Sequence, residues 1–249
     1  MFTSKQELSG AMGVDPEIAA FFVDRKIPAG NQYWKGKYLY VARGTGFLFI
    51  PLFFDLQLRA GIDRKILLDE SYVQLMEKIL DFAAQYELKK MDFEAHIGFI
   101  EELVRAKSVQ PELLENLSTY FKQRPLDAYG ILGTGIPAMN RGDALLYLLT
   151  VLDAHADIIK KIIAYWYLLV PSFLLLDDIM DLQEDQDNQE ENSLSHFGYD
   201  TEGVRKAIDL LDNNFAAISA VNPLLGNFFR SMLDQKKQST YFQLILNEK

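Results

Sequence analysis

The sequence contains no cysteine. This absence excludes disulfide bonds, thiolate metal sites and a cysteine nucleophile, and it fits a protein that works in a reducing compartment. Basic residues are also scarce: 25 lysines and arginines stand against 35 aspartates and glutamates, so the net charge is −10 at pH 7. Because binding to nucleic acid needs a surface rich in positive charge, nucleic acid is not expected as the main partner.

No stretch of the sequence is typical of a leader or of a membrane span. Residues 1–8 are polar and lack the apolar segment of a signal peptide. The longest apolar stretch, residues 158–176, contains Lys160, Lys161 and Pro171 and ends before two aspartates. Since a span needs roughly 20 mostly apolar residues, this stretch is expected to be a buried core helix. We therefore expect a soluble, cytoplasmic protein without a transmembrane segment.

Strand patterns and internal repeats are also missing. Apolar residues recur at helical spacing instead. This spacing predicts helices in residues 16–24, 69–104 (two helices that meet near Asp92), 111–122, 143–167, 201–219 and 224–246. Residues 47–61 are apolar on all sides, which is typical of a buried helix. At 249 residues and 49% hydrophobic composition, the chain predicts one all-α domain over residues 1–249, with roughly nine to eleven helices.

Three stretches are expected to interrupt these helices. Residues 31–46 are aromatic and basic; either their positive charges hold a phosphate or their aromatic rings pack inward. Residues 129–142 contain four glycines and a proline, without the spacing of a nucleotide-binding motif. They are expected to form either a plain loop or a break that turns Arg141 toward a cavity. Residues 186–199 have no lysine or arginine and are expected to form a mobile loop.

A run of aspartates follows the long apolar helix, in the sequence LLLDDIMDLQED. On a helix Asp177, Asp181 and Asp185 lie one turn apart on one face, with Asp178 beside them. Like charges at this spacing destabilise a helix, and carboxylates beside an apolar interior are costly without a cation. Mg2+ accepts oxygen ligands and keeps positions for a phosphate-bearing partner. These four residues are therefore the predicted Mg2+ ligands; the alternative is a solvated acidic helix end.

An all-helical chain with the sequence Leu-Leu-Leu-Asp177-Asp178-Ile-Met-Asp181 resembles the class I isoprenoid synthases: prenyl diphosphate synthases, squalene and phytoene synthases, and terpene cyclases. Asp177-Asp178-x-x-Asp181 looks like the second aspartate-rich motif of the prenyl synthases. Asp177, Asp181 and Asp185 have the spacing of the terpene-cyclase metal triad. The resemblance covers residues 143–198. It implies a helical barrel, Mg2+ as the cofactor, a prenyl diphosphate as the substrate and a homodimer.

The first aspartate-rich motif of these families has no complete counterpart in the sequence. One degenerate candidate is Asp55 with Asp63, which follows a buried helix. The other is Asp81 with Glu87, which precedes two lysines. Asp55 and Asp81 are therefore predicted as candidate substrate-binding residues.

Three basic residues are predicted to contact the diphosphate: Lys37, Arg43 and Arg141. Lys37 follows a glycine, and this pair is similar to the start of the Gly-Lys-Arg element that binds diphosphate in the resembled families. His96 is isolated in the sequence and is interpreted as a satisfied or exposed histidine.

The resemblance implies a Mg2+-dependent synthase that uses a prenyl diphosphate for prenyl transfer or cyclisation in isoprenoid biosynthesis. The incomplete first motif favours an alternative, a non-catalytic relative that binds an isoprenoid or serves as a partner subunit. A third hypothesis is an unrelated helical interaction protein with a solvated acidic helix end.

Overall fold

The computed structural model describes residues 3–42, 45–123 and 128–247. Within these ranges the chain forms ten α-helices, one π-helix and two 3-10 helices, and it forms no strand. The predicted all-α fold class is therefore confirmed.

The α-helices are α1 (Pro16–Asp24), α2 (Thr45–Ala60), α3 (Arg64–Leu67), α4 (Glu70–Glu87), α5 (Phe93–Arg105), α6 (Pro111–Phe121), α7 (Ala156–Asn188), α8 (Thr201–Val221), α9 (Pro223–Lys237) and α10 (Thr240–Asn247). The π-helix spans Glu7–Ala11. The 3-10 helices span Pro137–Val151 and Ser193–His196.

Aspartate side chains begin many of these helices. Asp15, Asp63, Asp69, Asp92 and Asp200 each accept a hydrogen bond from a backbone N–H in the first turn that follows. Such caps satisfy donors that have no partner inside the helix. The prediction that residues 69–104 form two helices, with Asp92 before the second, is confirmed.

The 33-residue helix α7 is the centre of the fold. At 1.5 Å per residue it is about 50 Å long, and it packs against α2, α8, α9 and the longer 3-10 helix. Among the described residues it is the one helix that is long and apolar enough to cross a membrane, and 56% of its most apolar window is buried inside the protein. This burial agrees with the predicted core helix.

A buried ion pair joins the N-terminal segment to the junction of α8 and α9. Asp55 on α2 is 1% exposed and accepts hydrogen bonds from Arg59 Nε at 2.6 Å and from the backbone N–H of Asp15 at 2.9 Å. Asn222 Nδ2 donates to the same carboxylate at 3.2 Å. Arg59 also donates to the carbonyl oxygen of Gly13 at 2.6 Å. Asp55 therefore holds together parts of the chain that are far apart in sequence.

Three predicted helix boundaries are wrong. Residues 143–167 do not form one helix, because the 3-10 helix ends at Val151 and α7 begins at Ala156. Residues 186–199 are not a continuous loop, because α7 runs on to Asn188 and Ser193–His196 forms a 3-10 helix. Residues 224–246 divide into α9 and α10 at Ser239, whose hydroxyl accepts from a backbone N–H in α10 at 3.4 Å. A polar composition alone does not end a helix. An apolar run alone does not show whether a helix is an α-helix or a 3-10 helix.

The pair α8 and α9 depends on a glycine at their contact. A Cβ atom at Gly226 would lie 2.8 Å from the carbonyl oxygen of Phe215 and would also meet the hydroxyl of Ser219. We expect Gly226→Ala to lower the free energy of unfolding by about 1–3 kcal/mol, as overpacking commonly does, in urea denaturation. Gly98→Ala is the control, since a Cβ there would meet no described atom within 4 Å apart from its chain neighbours and the backbone of its own helix; it should stabilise α5 by about 0.5–1 kcal/mol. Equal effects of the two substitutions would contradict the close helix contact.

Candidate functional site

A cavity of about 630 Å3 lies between α2, α4, α5, α7 and the longer 3-10 helix. Its volume is within the range of sites that bind small molecules. Most of its wall is apolar, with Phe49, Ile79, Leu80, Met139, Leu145, Trp166, Val170 and Phe173 among the lining side chains. An apolar wall of this kind favours a ligand with a large hydrocarbon part.

The rim of the cavity is charged. Lys35, Glu87, Arg141 and Glu191 line the cavity and are exposed to solvent. Arg141 Nε lies 2.8 Å from Glu87 Oε1, and this ion pair joins the 3-10 helix to the end of α4. The cavity therefore combines an apolar wall with an opening that presents both cations and carboxylates.

The longer 3-10 helix supplies two rows of cavity side chains. A 3-10 helix has three residues per turn, so residues i and i+3 lie above one another. Six of its residues line the cavity, as the rows Ala138–Arg141–Ala144 and Met139–Gly142–Leu145. The third row, which contains Asn140 and Asp143, does not line it. The threefold repeat thus separates the cavity side of this segment from its packing side.

Asp143 attaches the third row to the neighbouring helices. It is 0% exposed, and its Oδ1 accepts from Trp166 Nε1 at 2.7 Å. Its Oδ2 accepts from the hydroxyl of Tyr120 at 2.7 Å and from that of Tyr167 at 3.3 Å. Burial raises the pKa of Asp143 to about 6, although these three donors act in the opposite direction.

Asp143 should make stability depend on pH. Its folded-state pKa lies above its ordinary value of 3.8, so its contribution to stability is complete below pH 4 and is lost as the pH rises through 6. A shift of this size corresponds to about 3 kcal/mol. We expect wild type to lose about this much relative to Asp143→Asn between pH 4 and pH 7, measured by urea denaturation at each pH. An exposed control, Asp209→Asn, should show no such trend. Parallel curves for wild type and Asp143→Asn would refute the assignment.

Among the described residues, one of the four predicted metal ligands, Asp178, lines the cavity. Its Oδ2 accepts the backbone N–H of Ser193 at 2.8 Å. Burial raises its pKa, and the charges of Asp185 and Asp181 add to the effect. Asn192 Nδ2 donates to Asp185 Oδ2 at 2.6 Å and to the carbonyl oxygen of Asp178 at 2.7 Å.

The other three aspartates of the run, Asp177, Asp181 and Asp185, are not among the described residues that line the cavity. Asp181 is exposed, beside a shallow surface depression that also includes Lys236. Within the described ranges, no three His, Asp or Glu side chains are grouped in a way that could hold a metal ion. The structure therefore brings one carboxylate of the run to the cavity.

The predicted diphosphate contacts have different positions. Arg141 lines the cavity. The stretch 129–142 is not a loop or break throughout, however, because residues 137–142, Arg141 included, belong to the 3-10 helix that begins at Pro137. Lys37 is exposed and does not line the cavity; its Nζ lies 5.5 Å from the centre of the Phe47 ring. Arg43 lies outside the described residues.

The two candidates for the first aspartate-rich motif have structural partners. Asp55 is part of the ion pair with Arg59 described above. Asp81 is buried; its Oδ1 accepts the backbone N–H of Gln32 at 2.7 Å and its Oδ2 accepts from Gln85 Nε2 at 2.9 Å. Neither carboxylate lines the cavity, although Gln32 does. Asp81 thus positions a residue of the wall.

His96 and Tyr33 also line the cavity, although no motif in the sequence predicts this position. His96 is 1% exposed, and neither ring nitrogen has a hydrogen-bond partner among the described residues. The interpretation of His96 as a satisfied or exposed histidine is therefore wrong, because its ring is buried in a stack with Tyr86. Burial lowers its pKa to about 4, so it is neutral at pH 7. The hydroxyl of Tyr33 is likewise buried without a described partner.

Removing these two polar groups should stabilise the ligand-free protein. A buried polar group without a partner costs about 1–3 kcal/mol, so we expect His96→Phe to raise the free energy of unfolding by about this amount. Phenylalanine also supplies an aromatic ring to stack on Tyr86 in place of the imidazole. Tyr33→Phe should act in the same direction. A loss of stability in both variants, measured by urea denaturation, would show that these groups already have partners.

Comparison of the chain with models of known protein families, with curated proteins and with solved structures gave no match. The resemblance to the class I isoprenoid synthases therefore rests on the residues themselves and stays a prediction.

Proposed function

We propose that the cavity binds a prenyl diphosphate and that the protein is a Mg2+-dependent synthase that transfers or cyclises the prenyl chain. One observation carries the proposal: Asp178, from the aspartate run, and Arg141 line the same apolar cavity. A diphosphate ester of an isoprenoid alcohol joins a hydrocarbon chain to a strongly anionic group. The apolar wall suits the hydrocarbon chain, and the basic side chains of the rim suit the anionic group.

The hydrocarbon chain would occupy the apolar part of the cavity. Departure of diphosphate from an allylic carbon leaves a carbocation, which water would destroy. The apolar wall excludes water, and the rings of Phe49, Trp166 and Phe173 present π electrons that stabilise a cation within about 6 Å. Phe49 and Trp166 already contact each other edge to face, with ring centres 6.1 Å apart.

The diphosphate would lie at the rim. Lys35 and Arg141 supply the positive charge, with Arg141 exchanging its contact with Glu87 for the phosphate oxygens. The resemblance implies that Asp177, Asp178, Asp181 and Asp185 hold Mg2+.

Asp178 fits the metal in part. Mg2+ in proteins is commonly bound by one or two carboxylates together with substrate phosphates. Burial and the neighbouring carboxylates raise the pKa of Asp178, and a cation would remove that unfavourable charge. When bound, the metal would supply charge that stabilises the departing diphosphate.

A second function, non-catalytic isoprenoid binding, has its own supporting observation. The described residues contain no group of three side chains that could hold a metal ion. One carboxylate oxygen of Asp185 already accepts a hydrogen bond from Asn192. A protein with the cavity but without the complete metal site would bind the chain and leave the diphosphate ester intact.

Release of diphosphate from C10–C20 prenyl diphosphates in the presence of Mg2+ tests both functions. We expect wild type to release diphosphate and Asp178→Asn to do so about 100-fold more slowly, as loss of one charge-stabilising group commonly causes. Asp209→Asn, on the exposed side of α8, is the charge-matched control and should match wild type.

The same samples are heated with each ligand, because a ligand that binds the folded state raises its melting temperature. A shift without diphosphate release would favour the non-catalytic function. Neither a shift nor release for any chain length would contradict both proposals.

A further inference from the structure

Residues 35–39 form an exposed loop on a buried aromatic base. The rings of Trp34 and Tyr40 stack with centres 4.6 Å apart, and Trp34 Nε1 donates to the carbonyl oxygen of Tyr40 at 2.9 Å. Both side chains are 1% exposed. The five residues between them, Lys-Gly-Lys-Tyr-Leu, are all exposed. The base fixes both ends of the loop and leaves its five residues in contact with solvent.

The loop presents apolar side chains directly to water. Tyr38 is 96% exposed and Leu39 is 36% exposed. Lys35 and Lys37 precede them in the same loop, so the exposed apolar groups and two positive charges belong to one short segment. Tyrosine beside lysine is the combination that membrane proteins place at the level of the lipid headgroups.

The end of α4 continues this surface. Leu88 is 49% exposed and is followed by Lys89 and Lys90, which are also exposed. Lys90 Nζ donates to Gln32 Oε1 at 2.6 Å, and this bond holds the end of α4 beside the loop. We call this surface the rim patch; it consists of Lys35, Lys37, Tyr38, Leu39, Leu88, Lys89 and Lys90.

The rim patch adjoins the cavity. Lys35 and Leu88 belong to both, and Gln32 lines the cavity while it bonds Lys90. An apolar ligand that leaves a bilayer beside the patch would thus enter the cavity without crossing open water. This position, and not the exposure of single residues, gives the patch a role.

We propose that the rim patch docks the protein on an anionic lipid bilayer with the cavity opening toward the membrane. The charges select this partner. The patch carries four lysines in a chain whose net charge is −10, so an anionic membrane attracts this face more strongly than the remainder. The exposed Glu87 and Glu191 at the cavity opening reduce this attraction without cancelling four positive charges. A phosphate backbone or an acidic peptide supplies negative charge for the lysines but no apolar medium for Tyr38 and Leu39. The headgroup region of an anionic bilayer supplies the negative charge and the apolar medium together. The proposal does not depend on the diphosphate chemistry above.

Sedimentation with lipid vesicles tests this docking. We expect the full chain to bind vesicles of phosphatidylcholine that contain about 30% phosphatidylserine, a composition that gives a negative surface potential. It should bind pure phosphatidylcholine vesicles at least about tenfold more weakly. The bound fraction should fall when the ionic strength is raised, because salt screens the attraction.

Two double variants separate the contributions of charge and apolar contact. Lys35→Gln/Lys37→Gln and Tyr38→Ser/Leu39→Ser should each weaken binding by about tenfold or more. The control is Lys65→Gln/Lys107→Gln, which makes the same change of charge at exposed positions. Lys65 precedes α4 and Lys107 follows α5, so both lie at the end of this helix pair opposite to Leu88. The control should bind as wild type does.

The remaining outcomes overturn the proposal. No sedimentation with anionic vesicles would exclude docking. Equal losses in the control and in the lysine variant would show attraction without a defined face. Unchanged binding of Tyr38→Ser/Leu39→Ser would show that these side chains do not enter the bilayer. The partner would then be a soluble polyanion, and binding to heparin, measured in parallel, would detect it. Because all substituted side chains are exposed, each variant should fold. Its melting temperature checks this.

Discussion

The buried carboxylate of Asp143 is the constraint on which the cavity depends. Three aromatic donors from α6 and α7 converge on it, and they attach one row of the 3-10 helix to the core. The other two rows then face the cavity. Since a buried carboxylate is costly unless its oxygens are fully bonded, the position of the wall and the position of Trp166 are coupled. Trp166 is both a donor to Asp143 and a part of the wall.

Three aspartates of this chain show how environment decides the role of one side chain. Asp55 has an arginine partner and joins distant parts of the fold. Asp143 has aromatic donors and fixes a helix. Asp178 accepts a backbone N–H and lines the cavity, with its pKa raised by burial. Of the three, Asp178 combines access to a ligand with a charge that a cation would relieve, which is why the proposed chemistry centres on it.

Helical periodicity predicts most α-helices because their apolar residues recur at 3.6-residue spacing, and Asp92 is recognisable as a cap. The pattern does not predict the 3-10 helix, because the apolar run of residues 144–149 satisfies spacings of three and four residues equally. Periodicity also puts Asp177, Asp181 and Asp185 on one face, but it does not say which part of that face meets a cavity. His96 gives no signal in the sequence, since its burial depends on the stack with Tyr86. Contacts between distant segments decide these features.

The threefold repeat of the longer 3-10 helix also restricts how the length of this segment can change. Removing one residue turns everything beyond it by about 120°, which would move a cavity row into the core and bring the row of Asp143 toward the ligand. Removing or adding three residues restores the alignment and changes the length by about 6 Å. Relatives of this chain that keep the cavity should therefore differ here by multiples of three residues, a pattern opposite to the freedom expected of an ordinary loop.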